Sequence, residues 1–461
     1  MKRVSKIAVF FLSVLFILSA CQTFEPEIVP EYNTDVSAAD LDGLNFVWGH
    51  AYTGTVYGYI DGTAHSDMAL NREKEVEETL NCTIEVEYNG DINTAINTAV
   101  MSGQPRYDIA IGGSYGLVDP MRAGFLSGIS SLIDVHNTDK WGTPGMLQSM
   151  LWKDDLYGVV PYAWPELVYN STDYPIVVNE DLITKYGHTD PREYVENGTW
   201  TWDKFEEVLH AYTTQEADRT IYAMAIHPPY YFISMFLSNG VTMSMYDENG
   251  VSCGLYSERG IEALERAAKI LRETCKDCFY PADAHGGPGV DWFVNGDIFM
   301  LTLRGYELLK DENCVMYRAN NVGYIPYPQG PNATKNYYYS DHSSLEYTTV
   351  IPLNVKELEA TAIVLSEMYE PFDAYKTKAE LQDYMGKQIF FDERDAGIMF
   401  NMISHAEYGF FKEGGRSVID TLKDSTESVQ VILESLESKY QDILENYMIP
   451  HYEGRIAVYG E

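Results

Sequence analysis

The sequence has few basic residues and no visible basic stripe. Its 32 lysines and arginines stand against 69 aspartates and glutamates, which gives a formal net charge of −37. Binding to nucleic acid or adsorption to anionic lipid needs clustered Lys and Arg to replace counterions, so both functions are disfavoured. The acidity is dispersed among 45% hydrophobic and 13% aromatic residues, a composition typical of a folded chain with a large core.

The sequence also lacks an apolar run near the N terminus that is long enough for a permanent membrane span. The run Ile7–Leu18 has 12 residues, whereas a spanning helix needs roughly 17 to 25. Basic residues precede this run and the small residues Ser19 and Ala20 follow it, which is the layout of a signal peptide. Cys21 comes directly after them and resembles the lipobox cysteine of bacterial lipoproteins, whose thiol receives a diacylglyceryl group.

These features predict where in the cell the chain is located. We expect residues 1–20 to be a lipoprotein signal peptide and Cys21 to be the lipidation site, with a plain cleaved signal as the alternative. Residues 21–42 are rich in Glu, Pro, Asp and Ser and predict a flexible spacer. The expected location is the extracellular face of the cell membrane, in a bacterium of the Gram-positive type.

Cysteine is sparse, and metal-binding motifs are few. Cys275-Lys-Asp-Cys278 has the spacing of half a zinc knuckle or of a redox pair, but no second CxxC and no His pair lies near it in the sequence. The ten histidines are scattered singly, and there is no H-E-x-x-H helix. We therefore predict no metal centre and no cofactor, and we interpret the Cys pair as a surface turn with free or disulfide-linked thiols.

The remaining pattern is an alternation of strands and helices. Leu44–Trp48, Cys82–Tyr88 and Tyr107–Ile111 are predicted strands with helices between them, which is a βαβ series typical of a parallel sheet. Ligands of such sheets lie at the carboxyl ends of the strands, so Trp48, His50 and the loop 112–115 are candidates by position. About 440 mature residues exceed a single core and predict two lobes.

The loop Gly112-Gly-Ser114-Tyr-Gly116 fits the G-x-S-x-G pattern of a nucleophile elbow. An elbow runs straight into a helix, whereas Asp119 and Pro120 predict an N-cap and a first helical residue, which would leave a loop after Gly116. This prediction counts against a serine hydrolase. Paired carboxylates are too frequent among 69 acidic residues for a glycosidase geometry to be inferred.

Several motifs follow one another in a fixed order along the mature chain. They are Tyr107-Asp108-Ile109, Gly124-Phe-Leu126, Leu132-Ile-Asp134, Leu156-Tyr-Gly-Val-Val-Pro161, Val178-Asn-Glu-Asp-Leu182, Lys185-Tyr-Gly187, Asn197-Gly-Thr-Trp-Thr-Trp-Asp-Lys-Phe205, Phe293-Val-Asn-Gly-Asp-Ile-Phe-Met300 and Val322-Gly-Tyr-Ile-Pro-Tyr-Pro-Gln-Gly330. Together they resemble the family 1 extracellular solute-binding proteins, the maltose-binding-protein-like lipoproteins of ABC transporters. One departure is Arg304-Gly-Tyr-Glu307, which replaces the aromatic segment common in sugar binders.

The resemblance implies an α/β, two-lobed, periplasmic-binding-protein-like fold with several hinge crossings and a ligand cleft between the lobes. We expect lobe 1 to comprise residues 43–160 plus 345–400, and lobe 2 to comprise residues 161–344 plus 401–461. The crossings are expected near Val160–Pro165, Asp341–Ile351 and Met399–Tyr408. Such a fold captures solute by hinge closure.

The resemblance also implies a binding protein and not an enzyme. The expected partners are a small-molecule solute, most simply an oligosaccharide, and the membrane permease of an ABC importer, with the chain itself a monomer. Amino acid, peptide and polyamine cargo stay open. A surface receptor for a sensor system would share this fold, and a carbohydrate-degrading or serine-hydrolase lipoprotein is the enzyme alternative.

Candidate ligand residues follow from the chemistry of sugars, which offer apolar C–H faces and fans of hydroxyl groups. Aromatic plates and charged side chains at strand ends and crossings suit both features. The candidates are Trp48, Ser114, Tyr115, Trp164, Glu166, Tyr230, Arg304, Tyr306 and Asp341. Trp200 and Trp202 match the structural motif of the family, and we expect them to be packing residues.

Overall fold

The structure is a computed structural model that describes residues 39–165, 167, 173–285, 287–304, 308, 314–341, 345–410, 413–414 and 416–460. These residues belong to one compact unit. The predicted signal peptide, Cys21 and most of the predicted spacer lie outside the described residues. Within the described ranges, no helix is long and apolar enough to cross a membrane.

The described residues form strands and helices that alternate over most of the chain, with consecutive helices toward the C-terminal end. The strands are β1 Leu44–His50, β2 Thr55–Val56, β3 Tyr59–Ile60, β4 Cys82–Tyr88, β5 Ile109–Gly112, β6 Leu151–Trp152, β7 Asp155–Leu156, β8 Asp173–Asn179, β9 Thr214–Gln215, β10 Thr220–Ala225, β11 Ser244–Asp247, β12 Gly250–Cys253, β13 Ile298–Arg304, β14 Val322–Ile325, β15 Ser340–Asp341, β16 Thr348–Val350 and β17 Ala406–Glu407.

The α-helices are α1 Ala64–Leu80, α2 Ile92–Ser102, α3 Ser114–Arg122, α4 Thr138–Trp141, α5 Pro144–Leu147, α6 Glu180–Tyr186, α7 Pro191–Glu196, α8 Trp202–Tyr212, α9 Pro228–Leu237, α10 Glu258–Lys269, α11 Gly287–Val294, α12 Val315–Arg318, α13 Leu358–Met368, α14 Lys378–Gln388, α15 Glu393–Ser404, α16 Arg416–Asp424, α17 Val429–Ile443 and α18 Ile449–Tyr459. Short 3-10 turns occur at Gln148–Met150 and Gly254–Tyr256, and π-helical turns at Ile270–Thr274 and Leu444–Met448.

The first sheet has the order β16-β5-β1-β4. Strand β1 runs parallel to β4 and to β5, and β16 closes the edge in the antiparallel direction. Local sequence explains the crossover: Thr63 and Ser66 form a capping box at the start of α1, and Asn81 ends that helix in the left-handed conformation directly before β4. The predicted βαβ series is confirmed.

The second sheet has the order β17-β15-β8-β13-β10-β9, and β14 also pairs with β8. Strands β10 and β13 are parallel, whereas β8 is antiparallel to β13, β14 and β15. Strand β13 is buried along Ile298–Leu303, and helices α6 and α11 pack against it. The mixed helix and strand content with two separate sheets confirms the predicted α/β fold class.

Two predicted crossings coincide with segments that lead from one sheet to the other. Val159 pairs with Thr349 beside the first sheet, and the chain then enters β8 of the second sheet. In the reverse direction, Asp341 pairs within the second sheet and the chain reaches β16 of the first sheet a few residues later. Both connections include residues outside the described ranges.

The third crossing lies earlier than the predicted Met399–Tyr408. Helix α13 packs on α1 beside the first sheet, but α15 already packs on β14 of the second sheet. The buried Asp395 of α15 fixes this docking, because its carboxylate lies 3.2 Å from the buried guanidinium of Arg192 and accepts a hydrogen bond from the Tyr324 N–H at 3.2 Å. A buried carboxylate needs such partners to offset its desolvation.

The last helix also packs across the expected division of the chain. Helix α18 contacts the hairpin β6–β7, and the Lys153 N–H donates to the Pro450 carbonyl at 2.7 Å. The expected ranges assign the hairpin to lobe 1 and α18 to lobe 2. The exact division of residues between the lobes stays a prediction.

Candidate ligand-binding cleft

A cavity of about 810 Å³ lies where the carboxyl ends of strands from both sheets meet. Segments that follow β1, β4 and β5 form one side, and the end of β13 with the helices α9 and α16 forms the other. It is lined by Ala51, Tyr52, Gly90, Asp91, Ile92, Asn93, Gly112, Gly113, Tyr115, Gly116, Leu117, Tyr230, Arg304, Glu346 and Arg416. Its position agrees with the rule that open α/β sheets bind ligands at the carboxyl ends of their strands.

On the side of the first sheet, Tyr115 is the most exposed aromatic residue that lines the cavity. It stands in the first turn of α3, and its side chain is 52% exposed. Exposure of a large ring inside a cavity is unusual for a packing residue and suits a platform for the apolar face of a ligand. The sequence prediction of Tyr115 at the cleft is consistent with this position.

Tyr52 and Glu346 form the polar part of the same side. The Tyr52 hydroxyl donates a hydrogen bond to the Glu346 carboxylate. Burial, together with the negative charge of Glu346, raises the pKa of Tyr52 well above its usual range, so the hydroxyl stays a donor at physiological pH. This pair presents a fixed carboxylate toward the cavity, where a sugar hydroxyl could donate to it.

On the side of the second sheet, Arg304 donates hydrogen bonds to the hydroxyl groups of two tyrosines. Its guanidinium donates to the Tyr174 hydroxyl at 2.6 Å and to the Tyr230 hydroxyl at 2.7 Å. The two rings are stacked, with centroids 3.3 Å apart and an angle of 15° between their planes. Because both hydroxyls are held by one planar donor group, the Tyr230 ring is fixed before any ligand arrives.

Arg416 adds a second positive charge beside Tyr230. Its guanidinium carbon lies 5.9 Å from the Tyr230 ring centroid, and that of Arg304 lies 5.5 Å from the same centroid. The carboxylates that line the cavity are Asp91 and Glu346. Two cations and two anions in one cleft contrast with the strong excess of acid in the whole chain, and both signs of charge are available to polar groups of a ligand.

Asp91 lines the cavity and also caps a helix. Its carboxylate accepts a hydrogen bond from the Thr94 N–H at 3.1 Å and thereby caps α2. The hydrogen bonds from Thr94 lower the pKa of the Asp91 carboxyl. The residue therefore stays ionised at the mouth of the cavity.

Ser114 lies next to the cavity but faces away from solvent. The prediction that a loop follows Gly116 is wrong, because α3 begins at Ser114 and continues through Pro120. Pro120 lies inside α3 and donates no hydrogen bond to the Gly116 carbonyl, and the helix ends two residues later. The Ser114 hydroxyl is buried and accepts a hydrogen bond from the Leu345 N–H at 2.9 Å. This bond gives Ser114 a structural role in joining α3 to the segment that leads into β16.

Trp48 and Trp164 are placed in the core and do not line the cavity. Both are fully buried. Trp48 packs edge-on against Tyr57 with ring centroids 5.1 Å apart, and Trp164 stacks on Tyr59 at 5.9 Å. Large aromatic residues at strand ends are as useful for packing as for binding, and here the surrounding rings bury them.

Three other candidates cannot be placed in the cleft. Glu166 and Tyr306 lie outside the described residues. The backbone of Asp341 pairs with Glu407 in the second sheet, but its side chain is not described. Their contact with a ligand stays a prediction. Tyr230 and Arg304, in contrast, line the cavity as expected.

Five lining residues with polar side chains escaped the sequence predictions: Tyr52, Asp91, Asn93, Glu346 and Arg416. A usable signal existed for the first three, since Tyr52 follows β1 and the other two follow β4, both at carboxyl ends of predicted parallel strands. Glu346 and Arg416 come from distant parts of the chain, and only the fold brings them to the cavity.

Comparison with known proteins gives matches among solved structures, while no protein-family model and no curated protein matches the chain. A cyclic alpha-maltosyl-1,6-maltose binding protein from Arthrobacter globiformis is 13% identical with a TM-score of 0.64, over 88% of this chain and 100% of that one. A cyclo/maltodextrin-binding protein complexed with maltotetraose is 12% identical with a TM-score of 0.60, over 87% and 97%. An ABC substrate-binding protein from Listeria monocytogenes in complex with cycloalternan is 16% identical with a TM-score of 0.56, over 88% and 100%.

Identities this low establish the fold alone. The structural neighbours are binding proteins, and the match extends over nearly the whole of each chain. The chain therefore has the two-lobed α/β fold of the maltose-binding-protein-like periplasmic binding proteins.

Proposed function

We propose that the chain is the solute-binding subunit of an ABC importer and that it captures an extracellular oligosaccharide in the cleft. The observation that carries the proposal is the cavity itself, where exposed and pre-oriented tyrosine rings stand beside arginine and carboxylate groups. Rings match the apolar faces of sugars, and charged groups match their hydroxyls. The names of the structural neighbours, which bind cycloalternan, maltotetraose and a cyclic maltosyl-maltose, add support.

Binding would act through closure of the two lobes. Tyr52, Tyr115 and Glu346 stand on the first sheet's side of the cavity, whereas Tyr230 and Arg304 stand on the other. A solute held by both groups binds the closed form better than the open form, and this difference in affinity drives closure. The closed, liganded shape is what a permease would recognise.

The proposal also includes the cellular location of the chain. We infer from the sequence that Cys21 carries the lipid anchor on the extracellular side and that the acidic spacer lets the lobes reach a membrane permease. A tethered receptor keeps captured solute near the importer. A receptor for a sensor kinase would bind solute in the same way, and permease genes beside this gene would favour transport.

A glycan screen tests the proposal. Residues 22–461 should show a rise in melting temperature with at least one oligosaccharide, because a ligand at 100 times its Kd stabilises the folded state by about 2.7 kcal/mol. The same samples should contain intact glycan after incubation. Turnover without a stoichiometric complex, or shifts with amino acids, peptides or polyamines only, would refute the oligosaccharide binder.

A pair of tyrosine variants ties the shift to the cleft. Tyr230→Ala should abolish or strongly reduce the glycan-dependent shift, since it removes a ring that lines the cavity. Tyr317→Ala is the matched control, because that tyrosine is 66% exposed and does not line the cavity. Equal shifts in both variants would place the binding site elsewhere.

A further inference from the structure

Three side chains with metal-binding atoms meet in the second lobe, away from the residues that line the cleft. The ligand atoms of His210, Cys275 and Cys278 all lie within 4.8 Å of one another. The Cys275 Sγ is 3.5 Å from the His210 Nε2, and the Cys278 Sγ is 3.6 Å from the His210 Nδ1. The two cysteines are thiols and not a disulfide.

The two cysteines are held in a fixed turn. The Cys278 N–H donates to the Cys275 carbonyl at 2.9 Å, and the Cys278 carbonyl accepts from the N–H groups of Ala223 and Met224 in β10 at 3.0 and 3.3 Å. Both thiols are buried. The turn lies at the surface as predicted, because Lys276 and Asp277 are exposed, but its two free thiols face inward toward β10 of the second sheet.

His210 reaches this turn from another element. It stands in the last turn of α8 and is exposed, 65 residues before Cys275. The sequence offered no histidine near the CxxC motif, but the packing of α8 on β10 supplies one. Two thiols from one turn and one imidazole from a helix thus lie close together.

We propose that His210, Cys275 and Cys278 bind a zinc ion. Around a tetrahedral zinc, with bonds of about 2.3 Å to sulfur and about 2.0 Å to nitrogen, ligand atoms stand roughly 3.5 to 3.8 Å apart. From whichever His210 nitrogen binds the ion, one sulfur lies at that spacing, 3.5 or 3.6 Å away. All three ligand atoms lie within 4.8 Å of one another, so rotation of the other thiol side chain would bring it to the same ion. Thiolate and imidazole ligands select zinc over magnesium and calcium, which prefer oxygen.

The coordination can be completed simply. One nitrogen of His210 binds the ion, each thiol releases its proton to solvent on binding, and a water molecule takes the fourth position on the exposed side of His210. The ion would tie the end of α8 to the turn that is anchored on β10. Because β10 leads into α9, which carries Tyr230, the zinc would stiffen the lobe beneath one wall of the cleft.

Zinc titration of the full chain in detergent, stripped of metal and kept reduced with a phosphine, tests the proposal. We expect one Zn²⁺ per chain with a Kd of about 1 μM or tighter and a rise in melting temperature. His210→Ala, Cys275→Ser and Cys278→Ser should each weaken zinc binding by about tenfold or more. Cobalt should give the thiolate-to-metal charge-transfer band in the wild type and lose intensity in each cysteine variant.

Control variants keep the experiment decisive. His136→Ala and Cys253→Ser remove a histidine and a cysteine outside the cluster and should leave zinc affinity unchanged. His210 is exposed, so His210→Ala should fold even where a buried cysteine variant does not. No zinc binding by the reduced wild type, or unchanged affinity in His210→Ala, would overturn the proposal.

Discussion

Replacing Arg304 with methionine removes one of the two positive charges at the cleft but keeps a long apolar side chain. The change breaks two hydrogen bonds, of 2.6 and 2.7 Å, to the hydroxyls of Tyr174 and Tyr230. Hydrogen bonds that involve a charged group contribute about 1.5–3 kcal/mol each. If a solute takes one such bond from Arg304, its Kd should rise roughly 10- to 150-fold in the variant.

Isothermal titration with a glycan that stabilises the wild type measures this effect, and a melting curve verifies that the variant is folded. Arg318→Met is the matched control, because Arg318 forms an exposed ion pair with Asp291 at 2.7 Å and such pairs contribute about 1 kcal/mol or less. Its glycan affinity should equal that of the wild type. A folded Arg304→Met variant with unchanged affinity would refute the role of Arg304 in the cleft.

Three further predictions concern stability. Trp164→Ala should lower the free energy of unfolding by about 3–5 kcal/mol in urea titrations, because it leaves a cavity in the core; a loss below about 1 kcal/mol would contradict core packing. Gly49→Ala should cost about 1–3 kcal/mol, since the added methyl would meet the Tyr107 ring at 2.8 Å, whereas Gly116→Ala meets nothing within 4 Å and should be tolerated. Burial lowers the pKa of His451 to about 3 in the folded chain. Below about pH 6.5 the unfolded chain therefore binds a proton at this residue, whereas the folded chain keeps the imidazole neutral. Stability should therefore fall from pH 6.5 toward pH 3, by up to about 1.4 kcal/mol per pH unit, and His451→Gln should reduce that slope; an identical slope would contradict it.

Much of the fold was predictable because it depends on short-range pattern. Period-two apolar residues mark β4, a buried run marks β13, and Thr201 marks the start of α8. The order of these elements predicts parallel strands, whose carboxyl ends then predict Tyr115 at the cleft. These predictions need only the local sequence and the rule that strands alternating with helices form a parallel sheet.

The sequence predictions that failed concern features that depend on contacts between residues far apart in the sequence. Proline at position 120 suggested a helix start, but Ser114 begins the helix because its hydroxyl and backbone both bind Leu345. A tryptophan at a strand end or a crossing does not reveal whether neighbouring rings will cover it, as they cover Trp48 and Trp164. Likewise, no local pattern links His210 to the cysteine turn.

We expect an oligosaccharide to bind between the two lobes and to close them. Small-angle X-ray scattering of residues 22–461, with and without a saturating concentration of a glycan found in the screen, measures closure directly. We expect a smaller radius of gyration with the glycan and no change in the Tyr230→Ala variant. An unchanged radius in the wild type at full saturation, with one glycan bound per chain, would contradict binding by lobe closure.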